Sequence, residues 1–161
     1  MTPSGSAFGA GRRAACYGST TSMTTVPALE TWLKGFIAEH GGVAGSVHER
    51  EGELLRLRAA VNLPPPVVKV TETIPKGKGM AGLAWERNRS VAVCNLQSDQ
   101  SGDVRPGARA VAAQAALAIP VRGDDGDVRA VVGIAFMGER DFSEAELGRF
   151  EALAASVPAS S

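Results

Sequence analysis

The chain is poor in the residues that usually announce a function. Its 161 residues include two cysteines, Cys16 and Cys94, too few for a disulfide framework or a metal cage. Seventeen basic and seventeen acidic side chains cancel to a formal net charge of zero. That excludes the surplus of Lys and Arg expected of a nucleic-acid binder and a polybasic membrane patch. No apolar run approaches the ~18 residues a bilayer span needs. There is no Gly-x-Ser-x-Gly, no phosphate loop ending in Gly-Lys-Ser/Thr, and no His-Glu-x-x-His, so the common hydrolase, nucleotide and zinc-protease templates fail. Aromatic residues make up only 5%, which predicts a core rich in small side chains. These absences together predict a reduced, cytoplasmic, soluble protein with no nucleic-acid or membrane partner, no cofactor and no bound metal.

What is present suffices for one domain: 44% of the residues are hydrophobic, and a chain of this length can bury a core. Residues 1–25 hold Gly, Ser, Thr and Ala without periodicity, which predicts a disordered tail. The pair Arg12-Arg13 lacks the apolar stretch of an export signal, and Met23 is an alternative start to Met1. Residues 26–158 are read as the domain and 159–161 as a second short tail.

Within the domain, Leu29, Leu33, Phe36 and Ile37 share one face of a helix from Pro27 to Glu39. Alternation from Val43 to Val61 around Glu49-Arg50-Glu51-Gly52 predicts a hairpin, with Leu55, Leu57, Ala59 and Val61 on one face. Three prolines within Asn62 to Pro66 predict a break. Val68, Val70 and Ile74 predict a further strand. A turn at Pro75 to Gly79 leads into a short helix, Met80 to Arg87. Ser90 to Leu96 reads as a strand and Gln97 to Gly107 as a polar loop. Ala108 to Ala118 switches from helical to extended preference near Gln114, and Pro120 predicts an edge or terminal strand. Val128 to Met137, apolar on both faces, predicts a central strand. Ser143 and Glu146 form a capping box, flanked by a Phe142–Leu147 staple. The stripe Leu147, Phe150, Leu153 and Val157 completes a last helix. Successive hairpins with terminal helices predict an α+β fold.

The run Ile74-Pro75-Lys76-Gly77-Lys78-Gly79-Met80-Ala81-Gly82 is followed by Ala115 to Val121, Asp125-Gly126, Val132-Gly133-Ile134 and Phe142 to Glu146. In this order and spacing it resembles the GAF family of small-molecule sensor domains. The resemblance implies an antiparallel sheet of five to six strands with the terminal helices on one face. It places a short helix and a long loop over a pocket on the other face.

The resemblance carries several chemistries, which the residues narrow. A GAF subfamily reduces free methionine-R-sulfoxide with paired thiols. Its first cysteine falls where this chain has Ala81, and its nucleophile falls in the loop Gln97 to Ala113, which has no cysteine. A thiol cycle needs an attacking thiolate and a resolving partner. The nucleotide-type pattern lacks its Asn-Lys pair, and covalent bilin attachment lacks a Cys-His. His40 at a helix end and His48 near a hairpin turn have no companion ligands for a metal. What remains is an apolar or amphipathic pocket for a small molecule, with Met80, Trp85, Cys94 and Gln114 as candidate ligand-binding residues and no catalytic residue. Met80 and Trp85 suit a plain core better than a binding wall, and Cys94 suits a small buried hydrophobe. The charges Asp99, Asp103 and Arg105 suit a solvated loop. The expected role is noncatalytic sensing or regulation in signalling. Homodimerisation is expected through the terminal helices bearing Leu29/Leu33/Phe36 and Leu147/Phe150/Leu153. The alternatives are a methionine sulfoxide reductase-like enzyme and a dimerisation scaffold with a collapsed pocket.

Overall fold

The computed structural model describes residues 26–93, 114–138 and 140–159. The expected tail at 1–25, Cys16, Cys94, and the loop with Asp99, Asp103 and Arg105 lie outside the described residues.

The elements run α1 (Pro27–His40), β1 (Ala44–Glu51), β2 (Leu54–Val61), α2 (Pro65–Val70), β3 (Thr73–Pro75), α3 (Gly79–Arg87), β4 (Val91–Val93), β5 (Ala115–Arg122), β6 (Val128–Phe136) and α4 (Glu144–Ala154). Among the described residues, the six strands form one antiparallel sheet in the order β3-β2-β1-β6-β5-β4. The fold is the expected α+β arrangement, with β6 inside the sheet.

Period-two alternation sorts the side chains onto two faces. Val47, Ala59, Leu117, Ile119, Val132 and Ile134 meet Leu29, Leu33 and Phe36 of α1 and Phe150 of α4 in the main core. Leu55, Ala118, Val128 and Val131 meet Ala84 and Trp85 of α3 on the other face. The helices that close the two faces are thus the terminal pair on one side and the short α3 on the other.

Several expectations are corrected. The prolines do not exclude a helix: Pro65 and Pro66 occupy the first two positions of α2, where no main-chain donor is required. Val67 and Val68 N–H groups both donate to Pro64 O. Val68 and Val70 are therefore helical, and only Thr73–Pro75 forms the strand. Leu55, Leu57, Ala59 and Val61 do not share a face. The β1–β2 register jumps from Val47↔Ala59 to His48↔Leu57; Arg58 is the extra residue of a bulge, and a bulge reverses the alternation beyond it. Leu55 accordingly packs towards α3 and Ala59 towards α1.

Pro120 does not mark an edge strand, because β5 lies between β6 and β4. The three-residue β4 pairs only with Ala116 to Ala118, so it has ended before Pro120 would need a donor. In α4, Ala154 is buried while Leu153 is 41% exposed. The capping box of Ser143 and Glu146 forms in both directions. Hydrogen bonds from the Ser143 N–H and then from Arg140 hold the Glu146 carboxyl below its usual value.

Candidate functional site

The glycines at the midpoint shape one end of the site. Gly77 and Gly79 have φ of +82° and +66°, left-handed values that suit residues without Cβ. A Cβ on Gly82 would lie 2.5 Å from Pro75 O. This close return brings the start of α3 back against the sheet.

Between that turn, α2 and the sheet lies a cavity of about 160 Å³. Ser46 and His48 of β1, Ala116 and Ala118 of β5, and Gly133 and Ala135 of β6 form its floor, and Val67, Thr71, Met80 and Ala81 contribute from the helical side. Small side chains on neighbouring strands leave the space. A Cβ on Gly133 would meet only Ser46 Oγ, at 3.0 Å. Among the described lining residues the polar side chains are Ser46, His48 and Thr71.

His48 is only 3% exposed. Its Nε2–H donates to Thr71 O across 2.8 Å, while the Thr71 hydroxyl turns back to Val67 O at 2.8 Å. A carbonyl can only accept, so the ring hydrogen sits on Nε2 and a neutral ring presents Nδ1 as an acceptor. That Nδ1 is buried without a hydrogen-bond partner. Burial pulls the imidazole down from its ordinary 6.5 to about 4, against the opposing pull of the Thr71 bond. The ring therefore stays neutral well below pH 7.

Of the residues singled out from the sequence, Met80 lines the cavity. Trp85 is buried beside Leu55, Ile74 and Val131, with Arg50 and Lys76 over its ring at 5.4 and 5.5 Å, and is not part of the cavity wall. Gln114 is exposed just before β5, where its N–H donates to Phe136 O at 2.8 Å. Cys94 lies outside the described residues. His48 and Ser46 escaped sequence reasoning. Their one signal is parity: they alternate with Val47 and so occupy the face opposite it, which looks solvated until α2 and α3 cover it. His40 serves α1 itself, with Nδ1 bonded to Phe36 O at 2.8 Å.

Among the described residues, no group of three or more His, Cys, Asp or Glu is placed to hold a metal, and no helix is long and apolar enough to cross a membrane. No curated protein matches the chain significantly. Solved structures share its fold at low identity. A type II free methionine-R-sulfoxide reductase from Thermoplasma acidophilum is 18% identical, over 80% of this chain and 86% of that one, with a TM-score of 0.63. The GAF domain of a phosphoenolpyruvate-protein phosphotransferase from Acinetobacter is 19% identical, over 86% and 82%, with a TM-score of 0.65. The NreA protein of Staphylococcus aureus, mutated in its nitrate binding site, is 15% identical, over 73% and 91%, with a TM-score of 0.61. Residues 28–157 match the GAF domain as a family, and the chain therefore belongs to the GAF domain family.

Proposed function

We propose that this GAF domain is a noncatalytic sensor whose ligand is a small molecule held between the sheet and helices α2 and α3. The observation that carries the reading is the cavity itself, walled by apolar groups with a few polar side chains, the usual composition of a small-molecule site. The reductase reading has the fold of its structural neighbours in its favour. Against it, Ala81 stands in the cavity wall at the position where that subfamily's resemblance calls for a cysteine, and the loop 97–113 contains no cysteine. Both thiols of the cycle would have to be relocated. The collapsed-scaffold reading requires the cavity to be filled.

Native mass spectrometry of freshly purified protein tests the proposal, reading retained ligand and subunit count together. A thermal-shift screen against metabolites complements it, since a ligand of the folded state raises its stability. Silence in both supports the scaffold. Turnover of free methionine-R-sulfoxide that is abolished in Cys94→Ser supports the enzyme.

We also propose that two copies pair through the outer sides of α1 and α4. The inward stripe of Leu29, Leu33 and Phe36 is consumed within the domain, so the contact would fall on Leu153 and the neighbouring Trp32. A strict monomer by light scattering at high concentration overturns this.

A further inference from the structure

Of the polar side chains that border the cavity among the described residues, Ser46, His48 and Thr71, two are already engaged or closed off. His48 gives its Nε2–H to Thr71 O, and its Nδ1 is buried away from anything as large as water. The Thr71 hydroxyl donates to Val67 O. Ser46 differs: it is half-buried within β1, and no hydrogen bond engages its hydroxyl.

The sheet fixes where that hydroxyl stands. Val47 packs into the core under α1, so Ser46, one residue earlier, lies on the opposite face, where the cavity is. Ser46 pairs with Gly133 of β6, and directly opposed residues share a face. Ser46 Oγ lies 3.0 Å from where a Gly133 Cβ would stand, so it hangs over the glycine on the cavity floor. Strand β1 is flanked by β2 on one side and β6 on the other. The accessible part of Ser46 therefore opens through that face, into the space.

The walls restrict what can fill it. No Asp, Glu, Lys or Arg side chain lines the cavity among the described residues, so an ion would be desolvated without a counter-charge. The volume of about 160 Å³ is close to that of apolar cavities of ~150 Å³ that admit benzene. That is room for one six-membered ring and too little for a nucleotide, a haem or a bilin.

We propose that the cavity takes a small uncharged molecule, an apolar body of about one ring with one polar group, and that this group hydrogen-bonds to Ser46 Oγ. This rests on the reading of the cavity as the ligand site and adds the chemical class to it. A hydroxyl both donates and accepts, so Ser46 serves an alcohol, a phenol or a carbonyl compound. A pure hydrocarbon of equal size leaves it unpaired.

The test uses the full chain and three probes by calorimetry: phenol, its near-isostere toluene, which lacks the polar group, and nitrate. Phenol is expected to bind about tenfold more tightly than toluene, the value of one net hydrogen bond. Ser46→Ala removes the hydroxyl and should bring phenol down to the level of toluene, with toluene itself unchanged. Gly133→Ala narrows the space and should weaken both, which locates them in the cavity. Equal binding of phenol and toluene, or a preference that survives in Ser46→Ala, overturns the role of Ser46 and leaves the cavity reading standing. Nitrate tests the start of α3, which borders the space with no side-chain cap and carries the positive end of a helix. Nitrate binding more tightly than phenol overturns the uncharged class. Binding of none of the three, or binding that Gly133→Ala leaves unaltered, overturns the cavity reading and this one with it.

Discussion

The imidazole of His48 in β1 and the carbonyl of Thr71 at the end of α2 are joined by a 2.8 Å hydrogen bond, and this bond ties the sheet to the helix that roofs the cavity. Unfolding frees the ring to titrate at its ordinary 6.5, whereas in the folded protein burial lowers it to about 4. Between those values the unfolded chain takes up a proton that the folded one does not. Stability therefore rises with pH across pH 4 to 6.5 and levels off above it. The shift corresponds to roughly 3 kcal/mol lost on acidification from neutral pH to pH 4. Urea unfolding at closely spaced pH values should show this slope in the natural protein and a flatter one in His48→Gln.

Gly133→Ala should leave the fold intact and shrink the cavity. The added methyl meets only the Ser46 hydroxyl at 3.0 Å, and that oxygen can rotate away. The entropic cost of glycine in a strand is removed at the same time, so stability should change by less than about 1 kcal/mol. Affinity for a phenol-sized probe should fall several-fold. Unchanged affinity would place the probe elsewhere.

Gly82→Ala makes the opposite prediction. Its Cβ would stand 2.5 Å from a main-chain oxygen, Pro75 O, which cannot move without opening the turn before α3. A loss of about 1–3 kcal/mol is expected, read as a lower urea midpoint at unchanged m-value. An unaltered midpoint would mean that the turn adapts.

Arg140 is placed over the rings of Phe136, Phe142 and Phe150 at 4.5, 5.0 and 5.7 Å and pairs with Glu146 at 3.2 Å. It closes the hydrophobic staple with a cation. Arg140→Met keeps much of the packing and removes the charge, and should cost about 0.5–2 kcal/mol. Arg140→Lys should recover part of that in thermal unfolding. Equal melting of the Met variant and the natural protein would show that packing alone holds the three rings.

Local signals were legible and non-local ones were not. The Ser143–Glu146 box, the β1–β2 turn and the run of β6 depend on residues a few positions apart, and each forms as its spacing predicts. Helix α2 was hidden because a proline cluster suits both a break and a first helical turn, and only the bonds to Pro64 O separate the two. The bulge at Arg58 was hidden because alternation within one strand cannot register an extra residue opposite its neighbour. His48 was hidden because a polar residue alternating with Val47 reads as solvent-facing until something covers it.

Composition, turn chemistry and hydrophobic period thus determined the α+β class and the glycine-shaped approach to α3. Tertiary structure alone decided which face of the sheet holds the space and that His48 is buried beside it. Periodicity fixes which side chains share a face, whereas burial and hydrogen-bond partnership depend on which distant elements pack over that face.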